Sequence, residues 1–382
     1  MHLRNRHREY LDYRDLASRQ PSLLPFVYTN RFGGTSIDYA NDLALRELTR
    51  CLLFEFYSLS FWKIPDGYLC PPVPQRVDYI HRMADLISRS PGSVPHGQGV
   101  RGLDVGTGAS CIYCVLGVNE YGWSFIGSDT DPVALASAKK IIKKNHLAQV
   151  DLRHQPDASR IFSGVLHENE SVAFCLSNPP FHESSEHAAR AAGRKWQRLG
   201  RSEASVEKNY QGRDTELCCA GGEVGFVTRM VEESLEEPVR SSCVWFSAML
   251  SRETSLKSLL KLLDSCGAQR RVFEMRQGKM LKWVLAWTFL TYQQRDVRAA
   301  SWERDNGSAS SIVAGKGNRT SDADLTSSAW TGDLISETAE AGASQMEDAV
   351  EKPAKRKRHL AVPVEDVVED AVKKKRKEKT HK

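Results

Sequence analysis

The stretch "VRGLDVGTGAS", residues 100–110, decides the reading of the fold. Its apolar run over 100–105 has the continuity of a strand buried on both faces, and it breaks into a turn at Asp104, Gly106, Thr107 and Gly108. "CIYCVLGV", residues 111–118, then opens a helix. A second strand is predicted over 123–129, after which Asp131 offers an N-cap with Pro132 at the first helical position. Val133, Ala136, Ala138, Ile141 and Ile142 give that helix an inner face as far as Asn145. "VDLRH" (150–154) and "SVAFCLS" (171–177) read as the third and fourth strands. A helix over 223–235, a strand over 242–250, a Leu-rich helix over 255–265 and two strands, "RRVFEM" (270–275) and "LKWVLAWTFL" (281–290), complete the pattern. The last two are close enough to be a hairpin. Such alternation predicts an α/β fold: an open, mostly parallel seven-stranded sheet covered on both faces, with a terminal antiparallel hairpin and ligands beyond the carboxyl ends of the strands. Two helices precede it, one over 42–57 and one marked by Val77, Ile80, Met83, Ala84 and Ile87.

Charge and composition divide the 382 residues unevenly. Residues 1–290 carry 36 Lys+Arg against 32 Asp+Glu and enough apolar chain for one large core. Residues 291–350 hold 5 basic against 10 acidic residues, with no sustained apolar period, and are expected to be disordered. Residues 351–382 hold 12 basic against 6 acidic, a net charge of +6 that exceeds the +5 of the whole chain. The expected division is a helical extension over 1–95, an α/β domain over 96–292, an acidic, Ser-rich linker over 293–350 and a basic tail over 351–382. The polar, Arg-dense start has no secretory character, and no window approaches 18 apolar residues, so a soluble intracellular protein is expected. Nine cysteines scattered through apolar segments suit reduced core thiols. Cys111 and Cys114 form a CxxC with no second pair and no His at ligand spacing, which points to packing and to no metal.

The glycine turn admits two cofactors, a dinucleotide or S-adenosylmethionine. The dinucleotide fingerprint wants a third glycine at position 111, where this chain has Cys. Asp129 ends the next strand, 21 residues beyond Gly108, where a carboxylate can accept from the ribose hydroxyls of either cofactor. With Asp131 serving as the helix cap, Asp129 is expected to be free for ribose. The fourth strand separates the two readings, because it ends in Asn178-Pro179-Pro180-Phe181. The lone pair of an exocyclic adenine amine is delocalised into the ring, so a general base would accomplish little. Two acceptors that grip both amine hydrogens and turn the lone pair toward a sulfonium methyl would accomplish more. The side-chain oxygen of Asn178 and the carbonyl of Pro179 can be those acceptors, pre-aimed by the fixed φ of proline. Phe181 can stack on the base, a contact worth roughly 1–3 kcal/mol.

Over roughly residues 1–290 the chain resembles the RlmF-type adenine methyltransferases of large-subunit ribosomal RNA and their eukaryotic relatives that modify a spliceosomal small nuclear RNA. The match is carried by "MHLRNRH", "SIDYAN", "IPDGYLCPPVPQRVDYIHRMADL", "LDVGTGASCIY", "NPPFH", "ELCCAGGE", "QGKMLKW" and "AWTFL". The resemblance implies a Rossmann-like class I methyltransferase domain, S-adenosylmethionine as donor and N6-methyladenosine in structured RNA as product. It further implies that Arg76 and the turn from Gly106 to Ser110 contact the methionine part of the donor, Asp129 its ribose, and Asn178 to Phe181 the target adenine. Cys114, where the family usually has Pro, and the long charged C-terminal extension depart from the family pattern.

Two basic regions are candidates for RNA. Residues 2–31 contain Arg4, Arg6, Arg8, Arg14, Arg19 and Arg31 against three acids, and 183–213 contain seven basic and four acidic residues, Arg194 and Lys195 among them. The tail clusters "KRKR" (355–358) and "KKKRK" (373–377) are spaced like a nuclear-import signal, which implies an import receptor as partner and a nuclear location, with a nonspecific RNA arm and the cytoplasm as the alternative. Competing functions are methylation of DNA or of a protein glutamine by a related Asn-Pro-Pro-aromatic loop, and a non-catalytic RNA-binding protein of the same fold. No membrane partner is expected.

Overall fold

The computed structural model describes residues 1–90, 92–182, 214–277 and 280–309. The chain clusters into two units, Met1–Gly315 and Lys316–Lys382, the second of which lies outside the described residues together with the basic tail. The first unit starts with α1 (Tyr13–Arg19), a short 3-10 turn (Pro21–Phe26) and the small hairpin β1 (Val27–Thr29) and β2 (Thr35–Ile37), none of which the sequence reading anticipated. The two predicted helices follow as α2 (Asp42–Tyr57) and α3 (Val73–Ile87). Then come β3 (Arg101–Val105), α4 (Ile112–Tyr121), β4 (Ser124–Asp129), α5 (Pro132–Lys144), β5 (Val150–His154) and β6 (Val172–Ser177). The rest is α6 (Asp214–Leu217), α7 (Gly222–Glu233), α8 (Val239–Ser242), β7 (Cys243–Leu250), α9 (Glu253–Ser265), β8 (Gln269–Gln277), β9 (Met280–Thr288) and α10 (Tyr292–Ala309).

The main sheet has seven strands in the order β5-β4-β3-β6-β7-β9-β8. β5, β4, β3, β6 and β7 run parallel; β9 is antiparallel to β7 and to β8, forming the expected terminal hairpin. The strand order reverses direction between β3 and β6, and in open α/β sheets that switch point opens a crevice at the carboxyl edge.

Successive residues of a strand face opposite sides, and the core follows that rule. Phe125, Phe174 and Trp245 join a cluster on one face with Leu16, Leu23, Tyr57, Ile80 and Leu116, so the N-terminal elements and the sheet share a core. Their neighbours Ile126, Cys175 and Phe246 join the cluster on the other face with Val227, Leu259 and Trp287. Asp131 caps α5 through its side chain, which accepts from the Val133 N–H at 2.8 Å, as the sequence predicts. The close helix-on-strand contact that a dinucleotide fold assigns to its third glycine falls instead at Gly117, where an added Cβ would meet the Phe125 ring at 2.4 Å.

One expectation needs correction. The segment after residue 291 begins as a helix as far as Ala309, where its composition suggested disorder. Two buried residues at helical spacing, Ala299 and Trp302, anchor it, Arg295 stacks 5.0 Å from the Trp245 ring centroid, and Arg89 pairs with Asp296 at 2.8 Å. So few apolar anchors leave no sustained period in the sequence. Among the described residues no helix is long and apolar enough to cross a membrane.

Candidate active site

A cavity of about 1040 Å³, counting its open mouth, lies at the carboxyl ends of β3, β4 and β6. The glycine turn forms its floor. Gly106 and Gly108 have φ of +72° and +65°, a region that costs an L-residue roughly 1–2 kcal/mol. An added Cβ on Gly106 would meet nothing within 4 Å, so the backbone conformation rather than crowding by protein demands glycine there. The N–H groups of Gly106 and Thr107 both donate to the Ser128 carbonyl at 2.9 Å, tying the turn to β4.

Two carboxylates stabilise the turn. Asp104 is fully buried beneath it and does not border the cavity; its Oδ2 accepts from the Thr107 hydroxyl at 2.8 Å, while its Oδ1 has no partner among the described residues. Burial pushes the Asp104 carboxyl up to about 7, with the Thr107 hydroxyl and Cys114 thiol opposing the shift. Asp129 borders the cavity, but it is not the free carboxylate expected. Its Oδ2 accepts from the Gly108 N–H at 2.8 Å and its Oδ1 from the Asp131 N–H at 2.9 Å. A strand-end carboxylate is close to the next loop's backbone donors, and unmet donors recruit it. Each oxygen keeps a lone pair for a ligand hydroxyl. Burial raises this carboxyl above its ordinary value, and the backbone N–H groups oppose the rise.

Arg76 enters from the first turn of α3, which the proline-rich loop before it delivers to the cavity wall. Its guanidinium donates to the Tyr113 hydroxyl at 2.8 Å and comes within 3.7 Å of Met249 Sδ, while its buried Nε has no partner among the described residues. Ser110 borders the same cavity. Cys111 and Cys114 are buried thiols, Cys114 3.7 Å from Asp104 Oδ2, and among the described residues no group of side chains is placed to hold a metal ion.

Asn178 follows the end of β6, whose last residue, Ser177, donates through its hydroxyl to the Val105 carbonyl at 2.9 Å and so locks β6 to β3. Asn178 borders the cavity, and its amide oxygen is buried with no hydrogen-bond partner among the described residues. Pro180 also lines the cavity; Pro179 and Phe181 do not. Phe181 is half-buried, and Lys282 Nζ sits 5.2 Å from its ring centroid.

Several site residues escaped the sequence reading. Glu216 accepts from the Leu69 N–H at 3.0 Å and lies over the glycine turn, with Oε1 3.6 Å from where a Cβ on Gly108 would stand. Gln155, Tyr113 and Phe226 complete the walls. Glu216 and Lys282 fall inside "ELCCAGGE" and "QGKMLKW", which carry the family resemblance but no recognisable chemistry of their own.

The arginine-rich start is less free than its composition suggests. Arg4 donates to Tyr121 Oη at 2.9 Å and pairs with Asp85 at 2.6 Å, and Arg6 pairs with Glu120 at 3.0 Å. Both secure the N-terminus to α3 and α4. Arg14 donates to the Thr29 hydroxyl at 2.7 Å, and Arg8 is exposed. Arg194 and Lys195 lie outside the described residues.

A buried guanidinium with a spare N–H suits a carboxylate, glycine backbone suits close approach, and the strand-end Asp129 suits a ribose, so the residues present fit an amino-acid nucleoside such as S-adenosylmethionine. A family model described as RNA methyltransferase matches residues 1–291. Among curated relatives, the ribosomal RNA large subunit methyltransferase F of Aeromonas salmonicida is 43% identical over 76% of this chain and 91% of its own length. The Yersinia enterocolitica protein of that name is 42% identical over 80% and 91%. Among solved structures, the hMettl16 catalytic domain in complex with MAT2A 3′UTR hairpin 1 superimposes with a TM-score of 0.66 at 34% identity, over 76% of this chain and 96% of that one. The N-terminal domain of human METTL16 in complex with SAH gives 0.61 at 32% identity, over 76% and 99%. The turn, the Asn-Pro-Pro-Phe loop and these matches agree: the chain belongs to the RNA methyltransferase family and uses S-adenosylmethionine as its donor.

Proposed function

We propose that this enzyme methylates N6 of an adenine in a structured RNA, and that the RNA is large-subunit ribosomal RNA. The observation that carries the adenine reading is the amide oxygen of Asn178, buried at the cavity wall without a partner. An unmet buried acceptor costs roughly 1–3 kcal/mol, a cost that a ligand donor removes. An exocyclic amine offers two such donors. Asn178 Oδ1 takes one hydrogen and the Pro179 carbonyl the other, so the nitrogen turns its lone pair toward the donor side of the cavity. Pro179 and Pro180 hold that geometry before substrate arrives, and Phe181 supports the base by stacking. S-adenosylmethionine, when bound, supplies an electrophilic methyl carbon whose bond to sulfur breaks as its bond to nitrogen forms. The amine hydrogen held at Asn178 is the one placed to leave as a proton to water. Arg76 holds the donor's carboxylate, and Asp129 its ribose, through the lone pairs that the backbone contacts leave open.

The names of the bacterial relatives support ribosomal RNA, and the exposed Arg8, Arg31, Tyr28 and Phe32, with Arg31 lying over the Phe32 ring, support a polyanion with unpaired bases. The tail clusters at 355–358 and 373–377 support delivery to the nucleus by an import receptor. The test is to quantify N6-methyladenosine in large-subunit ribosomal RNA and in spliceosomal small nuclear RNA from cells with and without the protein. Loss from the ribosomal RNA is expected. Loss from the small nuclear RNA alone would replace the substrate, and loss from neither would overturn the proposal.

A further inference from the structure

We infer that Lys282 is a positioning residue for the target base: its ammonium lies against one face of the Phe181 ring and holds the ring so that the other face receives the adenine. The inference rests on the base-stacking role proposed above for Phe181.

The topology brings the two together. β9 runs antiparallel to β7, so its first residues stand at the carboxyl edge of the sheet where the Asn-Pro-Pro-Phe loop begins. Lys282 pairs across the hairpin with Met275, and its neighbour Trp283 pairs with Leu250, the last residue of β7. From there Nζ reaches 5.2 Å from the Phe181 centroid, within the ~6 Å range of a cation–π contact. The charged groups facing it are Arg76 on α3 and Glu223 on α7. Arg76 repels it. Glu223 turns Oε2 to the Ser251 N–H at 2.6 Å, its Oε1 is without a partner, and among the described residues no carboxylate pairs with Lys282. The attractive contact is therefore the negative face of the ring.

A cation on one face restricts the ring's rotamers before the base arrives, which lowers the ordering cost of stacking on the other. The contact requires the charged amine. Burial, with Arg76, pulls the Lys282 pKa down to about 7 against the opposing pull of Glu223, so the charge fades as pH rises through that value. Lys282 does not border the donor cavity, so donor affinity should not depend on it.

The experiment compares wild type, Lys282→Met, Lys282→Gln and Lys282→Arg on a hairpin cut from large-subunit ribosomal RNA, with a second copy carrying 2-aminopurine at the methylated position. For both neutral variants kcat/KM should fall by on the order of 10-fold, with unchanged donor affinity, unchanged salt dependence and weakened 2-aminopurine quenching. Lys282→Arg should restore the rate and abolish the wild-type decline of kcat/KM as pH rises through about 7. If the neutral variants match wild type, Lys282 does not position the base. If they lose about one unit of salt slope with stacking intact, Lys282 is a phosphate ligand and the inference is overturned. If wild type itself methylates none of this RNA, the proposed function falls and takes this inference with it.

Discussion

The two halves of the cavity differ in how far the protein satisfies its own backbone and in which polar atoms it leaves unmet. On the donor half the glycine turn is already satisfied by protein: Asp129 accepts two backbone N–H groups, Thr107 is bound to Asp104, and both turn amides reach Ser128, while the Arg76 Nε and Asp104 Oδ1 have no partner among the described residues. On the acceptor half the Asn178 oxygen has no partner among the described residues, and outside the cavity lining Phe181 carries over its ring a lysine whose pKa is pulled down to about 7. A turn whose backbone is already satisfied binds its ligand at little reorganisation cost. A half that leaves acceptors unmet spends stability so that only a molecule with matching donors completes it, which is selectivity by unpaired groups. A stable fold can carry a few such groups.

The contrast can be broken from either side. The largest effect is expected on the acceptor half. Asn178→Ala should lower the methylation rate by on the order of 10²–10³-fold while donor affinity, measured by calorimetry, stays within about twofold of wild type. Loss of donor binding in that variant would show that the two halves are not separable. Next comes the donor half: Arg76→Met should weaken donor binding by roughly 10–100-fold, the worth of a charge-assisted hydrogen bond, with a smaller change at saturating donor. Unaltered donor affinity would remove Arg76 from the site.

Asp104 sharpens the comparison through pH. Its folded pKa, about 7, lies above the ordinary value of 3.8, so the stability it contributes is fully present below about 4 and is lost as pH rises through about 7. Asp104→Asn removes that dependence, so its stability relative to wild type should grow by a few kcal/mol between pH 4 and pH 8 in urea titrations. A constant difference across that range would mean the buried carboxyl ionises normally. The smallest effect is expected far from both halves. Removing residues 351–382 should leave the melting temperature within about one degree and alter cellular location alone; a large drop would mean that the tail packs on the fold.

Much of this site was legible because its signals are local. The glycine turn follows from the φ that a strand-to-helix reversal demands, α5 from Asp131 and Pro132, and the end of β6 from the two prolines that follow Asn178. Where a residue's role depended on what it meets across space, the reading failed or was silent. Asp129 was expected to be free, but backbone donors from two neighbouring segments claim it. Arg4 and Arg6, counted toward an RNA surface, are held by Asp85 and Glu120. The first turns of α10 were hidden because Ala299 and Trp302 suffice to anchor them.

The sequence by itself determined the order of the strands of the main sheet and the longer helices between them, the turn that needs glycine and the proline stop after β6, because each is set by dihedral preferences and periodicities spanning a few residues. The pairing of Lys282 with Phe181, the Glu216 carboxylate above the glycine turn and the unmet oxygen of Asn178 were decided only by the tertiary structure. Partners about a hundred residues apart leave no pattern in the chain, and whether a polar group is satisfied depends on every neighbour the fold brings to it.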